Sequence, residues 1–250
     1  MRSIQSPLLT PYINLLHAFT TKEGGFSQAP FTGNNLAYHV QDQNSSVNKN
    51  HKELAKYLNY SQNNLIRMNQ VHGNTITDVD KTYNNSEPPN CDALVTNQVN
   101  TPLMVMVADC LPILLFDDTK KVIAAVHAGR AGVFTEILPK TIQRMKEKYQ
   151  SKAANIKVVV GPAIHSCCYE VGEEIKKEAY KKGFDYAIIE KNKHLYLDLI
   201  SIVKKQLQTS CIQEHNIEIS QECTACNTDL FYSYRAEKQC GRFAGIIMLK

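Results

Sequence analysis

The chain lacks tryptophan, internal repeats, low-complexity tracts and any linker long enough to separate domains. These absences speak against repeat arrays and tethered modules. Residues 1-250 therefore read as a single domain, long enough to bury one sizeable core. No segment suits a membrane: a spanning helix needs about 20 apolar residues, and Asp109 interrupts the longest candidate, Leu103 to Phe116. The N-terminal MRSIQSPLLTPYINLLHAF carries one arginine and two prolines, with no clean apolar block before a small-residue cleavage site. No signal peptide is read there, and a cytoplasmic location is expected.

Charge of one sign is not in marked excess, since 28 Lys and Arg stand against 24 Asp and Glu for a net charge of +4. The densest basic group, Lys176 to Lys182, lies at helical spacing among glutamates, the pattern of a solvated helix face. Basic residues do not cluster with aromatics, so a nucleic-acid surface is not expected. Hydrophobic residues at 43% and charged residues at 21% are those of a folded globular chain.

Cysteine, by contrast, is plentiful, with eight residues. Disulfide frameworks belong mainly to short secreted chains, so free thiols are expected. Cys223 and Cys226 form a C-x-x-C, but no second pair or histidine follows to complete a zinc finger, and the pair reads as the thiols of a buried turn.

Local patterns predict a short strand in LLHAFTTKEGGFS, an extended piece in NNLAYHVQD, and a helix in SSVNKNHKELAKYL with a serine N-cap and Val47, Leu54 and Leu58 on one face. Strand-like runs follow at Leu65 to Met68, Thr75 to Val79, Ala93 to Thr96, Leu103 to Val107, Ile113 to Phe116 and Val122 to Val126. A helix is expected from about Phe134 to Tyr149, with Pro139 in an early turn or a kink. IKVVVGPAI reads as an apolar strand stopping at Gly161-Pro162. Helices at Gly172 to Lys182 and Asp198 to Cys211, and strands near Tyr186 to Ile189, in IEIS and in FAGIIML, close the chain. Strands outnumber helices and cluster between them. That is the pattern of mixed sheets with helices packed outside, in the α+β class.

Three residues stand where apolar strands give way to turns: His72 in NQVHGNTI, Cys110 in VADCLPILLF and His127 in VIAAVHAGRAG. Two imidazoles and a thiolate suit zinc, and three protein ligands without an evident fourth are the mark of a catalytic site. Pro112 is expected to interrupt the regular ladder just after Cys110. Asp109 would either orient a ligating histidine or cap a local turn.

At these residues the sequence resembles the YfiH/LACC1 family, historically labelled multicopper polyphenol oxidoreductase or laccase-like and later described as purine nucleoside phosphorylases. HAFTTKEGGFS, NNLAYHVQD, NQVHG, DALVTN, ADCLPILLFD, AVHAGRAG, VGPAIHSCCYEVGEEI and CTACNTDLFYSYRAEKQCGRFAGIIML carry the resemblance, in the family's order. It implies one catalytic domain, a four-layer α/β/β/α sandwich with mixed sheets. It also implies metal ligation by His72, Cys110 and His127. The implied activity is phosphorolysis of adenosine, inosine, guanosine and methylthioadenosine, together with adenosine deamination. The chain departs from the usual HAGWRG, reading HAGRAG at His127 to Gly132, so the family's arginine is displaced by one position and its tryptophan has no counterpart.

Phosphorolysis needs a grip on phosphate, for which the planar guanidinium of Arg130 is the candidate. Deamination needs a proton carrier beside the metal, for which Asp109 and Glu170 are candidates; capping roles remain open for both. Asn35 and Gln70 are candidates for orienting substrate hydroxyls. The expected cofactor is zinc, with copper possible in its place, and the expected partners are small-molecule purine nucleosides and phosphate. Three other readings remain: a copper-dependent polyphenol oxidase, against which the lack of an H-x-H pair counts; a metal-free hydrolase or deamidase using Cys110 as nucleophile and His127 as base; and a purine sensor without turnover.

Overall fold

The computed structural model describes all 250 residues. β1 (Ser3–Ile4) and β2 (Leu15–Thr20) open the chain, and α1 (Asn44–Leu58) follows an irregular stretch. Next come β3 (Ile76–Asp78), β4 (Ala93–Thr96), β5 (Leu103–Val107), β6 (Leu111–Asp117) and β7 (Val122–Ala128), then α2 (Arg130–Phe134) and α3 (Ile137–Tyr149). The chain continues through β8 (Ile156–Val160), β9 (Glu170–Val171), α4 (Glu173–Lys181), β10 (Ile188–Lys191), β11 (His194–Leu197) and α5 (Leu199–Thr209). It ends with β12 (Ile217–Ile219), α6 (Tyr234–Glu237) and β13 (Phe243–Leu249).

Two sheets carry the architecture. One has six strands in the order β12-β8-β6-β7-β4-β3, parallel at its two outer pairs and antiparallel between them. The other is antiparallel, in the order β1-β2-β13-β5. A small β10-β11-β9 sheet stands apart from both.

The alternation of side chains along β6 explains why two sheets stack. Leu111, Ile113 and Leu115 join a core with Leu138, Ile142, Val203 and Leu207 of α3 and α5. Leu114 and Phe116 point the other way, into a second core with Phe19, Val105, Phe243 and Ile247 of the four-stranded sheet. A third core packs Leu54 and Ala55 of α1 against Leu16, Met104 and Ile246 on that sheet's outer face. Helix, sheet, sheet and helix follow in order. The expected α+β sandwich is the fold.

Each helix has its reason. α1 buries Val47, Asn50, His51, Leu54 and Ala55 at helical spacing, and Asn59, in left-handed geometry, ends it. Its start differs from expectation: Gln43 takes the cap position without a side-chain bond, and the serines fall inside the first turn. Pro139 sits in the first turn of α3, where its missing N–H has no intrahelical partner to lose. Asp198 caps α5 by accepting from the Ser201 N–H at 3.0 Å.

Three strand readings are corrected. NNLAYHVQD forms no regular strand, because Asn35 and Asn50 satisfy its backbone in place of a neighbouring strand. Leu65 to Met68 contributes only an isolated bridge from Ile66 to Leu103. Pro112 does not break the ladder: it lies within β6, opposite His127. The His127 N–H is spent on the Asp92 carbonyl at 2.8 Å, away from β6, so this pair exchanges no hydrogen bonds and the proline's missing donor costs β7 nothing.

Candidate metal centre and its cavity

His127 is the sixth residue of β7, on the face shared with Ile123 and Ala125, and so looks between the two sheets. Cys110 occupies the turn from β5 to β6, and His72 lies in the irregular segment before β3. One coordinating atom from each of the three falls within 4.8 Å of the others. The rings of His72 and His127 meet edge to face with centroids 4.7 Å apart.

Two features suit this cluster to an ion. The first is Gly129, where a Cβ would stand 3.0 Å from Cys110 Sγ and 3.3 Å from His72 Cδ2, so glycine leaves the space beside these side chains clear. The second is Asp92, fully buried at the head of β4, whose Oδ1 meets His127 Nδ1 at 2.8 Å and leaves Nε2 free for coordination. Asp92 also accepts the N–H groups of His72 at 3.0 Å and Gly73 at 2.7 Å, fixing the segment that carries His72. Burial works to raise the Asp92 carboxyl, but these donors outweigh it and hold the group below its usual range.

The same contest shapes Cys110 and His127. Burial would raise the Cys110 thiol, yet the charge of His127 and the hydrogen bonds of both imidazoles bring it down to about 6. Burial would lower His127, yet the Cys110 thiolate and Asp92 push it up to about 9. The residues fit a divalent ion with borderline-soft ligand preferences. His72 and Asp109 both hold positive φ, 58° and 94°, a conformation costing roughly 1–3 kcal/mol for a non-glycine residue. Their neighbours impose it.

The cluster lines a cavity of about 640 Å³. Its polar wall includes Arg130, Arg235, Lys238 and Arg242, with Asp109 the one acidic residue, and its apolar wall includes Met68, Met106, Ile164 and Tyr169. A positively charged wall favours an anion.

The candidates from sequence take different places. Cys110, His127, His72, Asp109, Arg130 and Gln70 all line the cavity; Asn35 and Glu170 do not. The Asp109 carboxylate makes no hydrogen bond to His72 or His127. It accepts from Thr224 Oγ1 and Ser233 Oγ, both at 2.7 Å, and from the Arg235 N–H at 2.6 Å, which ties the start of α6 to the β5–β6 turn. Arg130, at the start of α2, is ion-paired with Glu178. Gln70 is engaged with the Met106 backbone in both directions. Asn35 is buried and spends its amide on Ala37, Asp42 and Arg242. Glu170, on β9, pairs with His194 at 2.7 Å.

Sequence reasoning missed Asp92, His39, Arg235, Lys238 and Arg242. Asp92 had a signal, a carboxylate directly before the apolar run ALVT. His39 had none, because the irregular NNLAYHVQD offers no periodicity from which to infer where its side chain lies.

Comparisons agree with this architecture. A purine nucleoside phosphorylase of Corynebacterium glutamicum is 37% identical over 233 residues, spanning 92% of this chain and 93% of its own. A purine nucleoside phosphorylase of Streptomyces coelicolor is 35% identical, with 92% of this chain and 94% of its own covered. Among solved structures, the Bacillus licheniformis hypothetical protein YfiH superposes with a TM-score of 0.90 at 30% identity, covering 94% of this chain and 93% of that one. YlmD from Geobacillus stearothermophilus gives 0.90 at 27% identity, covering 98% and 94%. The family profile described as multi-copper polyphenol oxidoreductase laccase matches residues 16–250. With a strand order, a His–Cys–His cluster and a cavity of this kind behind that match, the chain belongs to this YfiH-like family.

Proposed function

We propose that the protein is a zinc-dependent purine nucleoside phosphorylase acting on adenosine, inosine, guanosine and methylthioadenosine, and that it also deaminates adenosine. The convergence of His72, Cys110 and His127 at a cavity with a cationic wall carries this reading. The names of the Corynebacterium and Streptomyces relatives support it. Zinc, held by these three residues, supplies Lewis acidity and, for deamination, activation of water near neutral pH.

In phosphorolysis an oxygen of phosphate bonds to C1′ of the ribose as the C1′–N9 bond breaks, and the purine leaves with the bond pair and gains a proton. The cationic wall gathers the phosphate, with Arg130 as the first candidate once it exchanges Glu178 for the ligand. Met68, Met106, Ile164 and Tyr169 exclude water around the base and sugar. Asp92 holds His127 in a single tautomer. Asp109 acts at the cavity wall, where Thr224, Ser233 and the Arg235 N–H keep its carboxylate oriented.

One observation favours a second reading. Cys110, His127 and Asp92 also form a thiol, imidazole and carboxylate series, the arrangement of a metal-free cysteine hydrolase. His72 has no part in that chemistry, which is why the metal reading is preferred.

Incubation of the purified protein with adenosine, with and without phosphate, followed by chromatography of the products, separates the readings. Adenine should appear only when phosphate is supplied. Cys110→Ala should lose the zinc of this cluster together with turnover, whereas full activity in a Cys110→Ala variant would overturn the proposal.

A further inference from the structure

A second group of metal-competent side chains lies outside the cluster just described. Cys167 and Cys168, in the loop between β8 and β9, meet Cys223 and Cys226, in the turn between β12 and α6. Their four sulfurs all lie within 4.8 Å of one another. The Sγ separations are 3.3 Å between Cys168 and Cys226, 3.6 Å between Cys167 and Cys226, and 3.7 Å between Cys167 and Cys168. A tetrahedron of thiolates with zinc–sulfur bonds of about 2.3 Å has edges of about 3.8 Å, so the observed spacings need only small adjustments.

The backbone is arranged for anionic sulfur. The His165 N–H points at Cys223 Sγ at 3.4 Å. The Asn227 and Cys226 N–H groups close the turn onto the Cys223 carbonyl at 3.1 and 3.2 Å. Amides aimed at a thiolate favour its charged form. The reading of Cys223 and Cys226 as thiols of a buried turn is thus corrected: Cys223 is buried, Cys226 is exposed, and the second pair precedes them in the chain as adjacent cysteines.

We propose that Cys167, Cys168, Cys223 and Cys226 bind one zinc ion in a closed tetrathiolate site, separate from the cluster of His72, Cys110 and His127. Four protein ligands leave no position for substrate, so the role is structural. Binding displaces four thiol protons and forms four zinc–sulfur bonds; no electron is transferred. The ion staples two irregular segments that otherwise share few backbone bonds, chiefly Ala163 N–H to Glu222 and Thr224 N–H to Ala163.

Those segments shape the cavity. Ile164 and Tyr169 line it from one segment. Arg235 donates to the Cys168 and Glu170 carbonyls at 3.2 and 2.8 Å, and Thr224 holds Asp109 from the other. A zinc at the cysteines therefore fixes the wall facing the first cluster without joining its chemistry.

Metal analysis of the full chain, purified under reducing and anaerobic conditions, tests this. Wild type should carry about two zinc ions per chain, and Cys110→Ala and Cys226→Ser about one each. Cobalt substitution removes dependence on how well Cys226→Ser folds. Cobalt-loaded Cys110→Ala should keep the intense thiolate-to-cobalt charge-transfer bands of a tetrathiolate site. Loss of all metal and all such bands in a folded Cys110→Ala variant would overturn the proposal. So would non-reducing peptide mapping of the anaerobic protein that finds Cys168 and Cys226 joined as a disulfide.

Discussion

A carboxylate buried beside His72 and His127 sets the electrostatics of the first cluster. Between about pH 6 and pH 9 the metal-free site holds a Cys110 thiolate against a His127 imidazolium, since the thiol is drawn down and the imidazole pushed up by each other, with Asp92 supporting the imidazolium. Only the thiolate attacks an alkylating agent. In protein stripped of metal, iodoacetamide labelling of Cys110 should therefore rise with pH to half its plateau near pH 6, well below an ordinary thiol. Asp92→Asn removes a charge that favours the imidazolium, which weakens its hold on the thiolate, so the midpoint should move upward. Loss of this outer carboxylate should also weaken zinc binding by roughly 10- to 100-fold. Peptide mapping across a pH series and competition with a chromophoric chelator measure the two effects. A midpoint that stays fixed in Asp92→Asn would mean that Asp92 does not govern the pair.

At the scale of elements, the site depends on how closely the sheets approach. β2 passes the end of β8 where Gly161 follows it, and a Cβ at Gly161 would fall inside contact distance of the buried Phe19 ring. Any side chain there must push β2 away from β8. Gly161→Ala should destabilise the protein by about 1–3 kcal/mol, the usual cost of overpacking a filled core. Urea unfolding should show a lower midpoint with an unchanged slope, and an unshifted midpoint would indicate that Phe19 has room to move. The elements most legible in the sequence are those where one local pattern decides: β4 and β5 occupy the segments expected, as their apolar runs leave little choice. β9 and β11 were missed, because Glu170–Val171 is too short to show a period and is held only by pairing with Leu195 and Tyr196.

Across the whole molecule, the cavity is assembled from β5, β7, α2, α5 and α6 and from loops along the chain, and residues as distant as His39 and Arg242 line it together. Under the proposed metal reading, ligands drawn from three segments would make ion binding and folding a linked equilibrium. Protein stripped of metal should melt at a lower temperature, and free zinc should raise the midpoint with concentration. At 100 times the dissociation constant the gain for one site is about 2.7 kcal/mol, or about 5 to 10 °C for a chain of this length. A midpoint indifferent to zinc in calorimetry would show that the clusters do not close around an ion. The sequence by itself determined the helices and the longer apolar strands and that they build an α+β fold, because periods of 2 and 3.6 are local. Its patterns, with the family resemblance they carry, also pointed to His72, Cys110 and His127. Only the tertiary structure decided that Asp92 and not Asp109 orients His127, that Asn35 and Glu170 stand outside the cavity, and that an adjacent cysteine pair meets a C-x-x-C far along the chain. Those are contacts between segments remote in sequence, and the packing of two sheets, which no local window contains, brings them together.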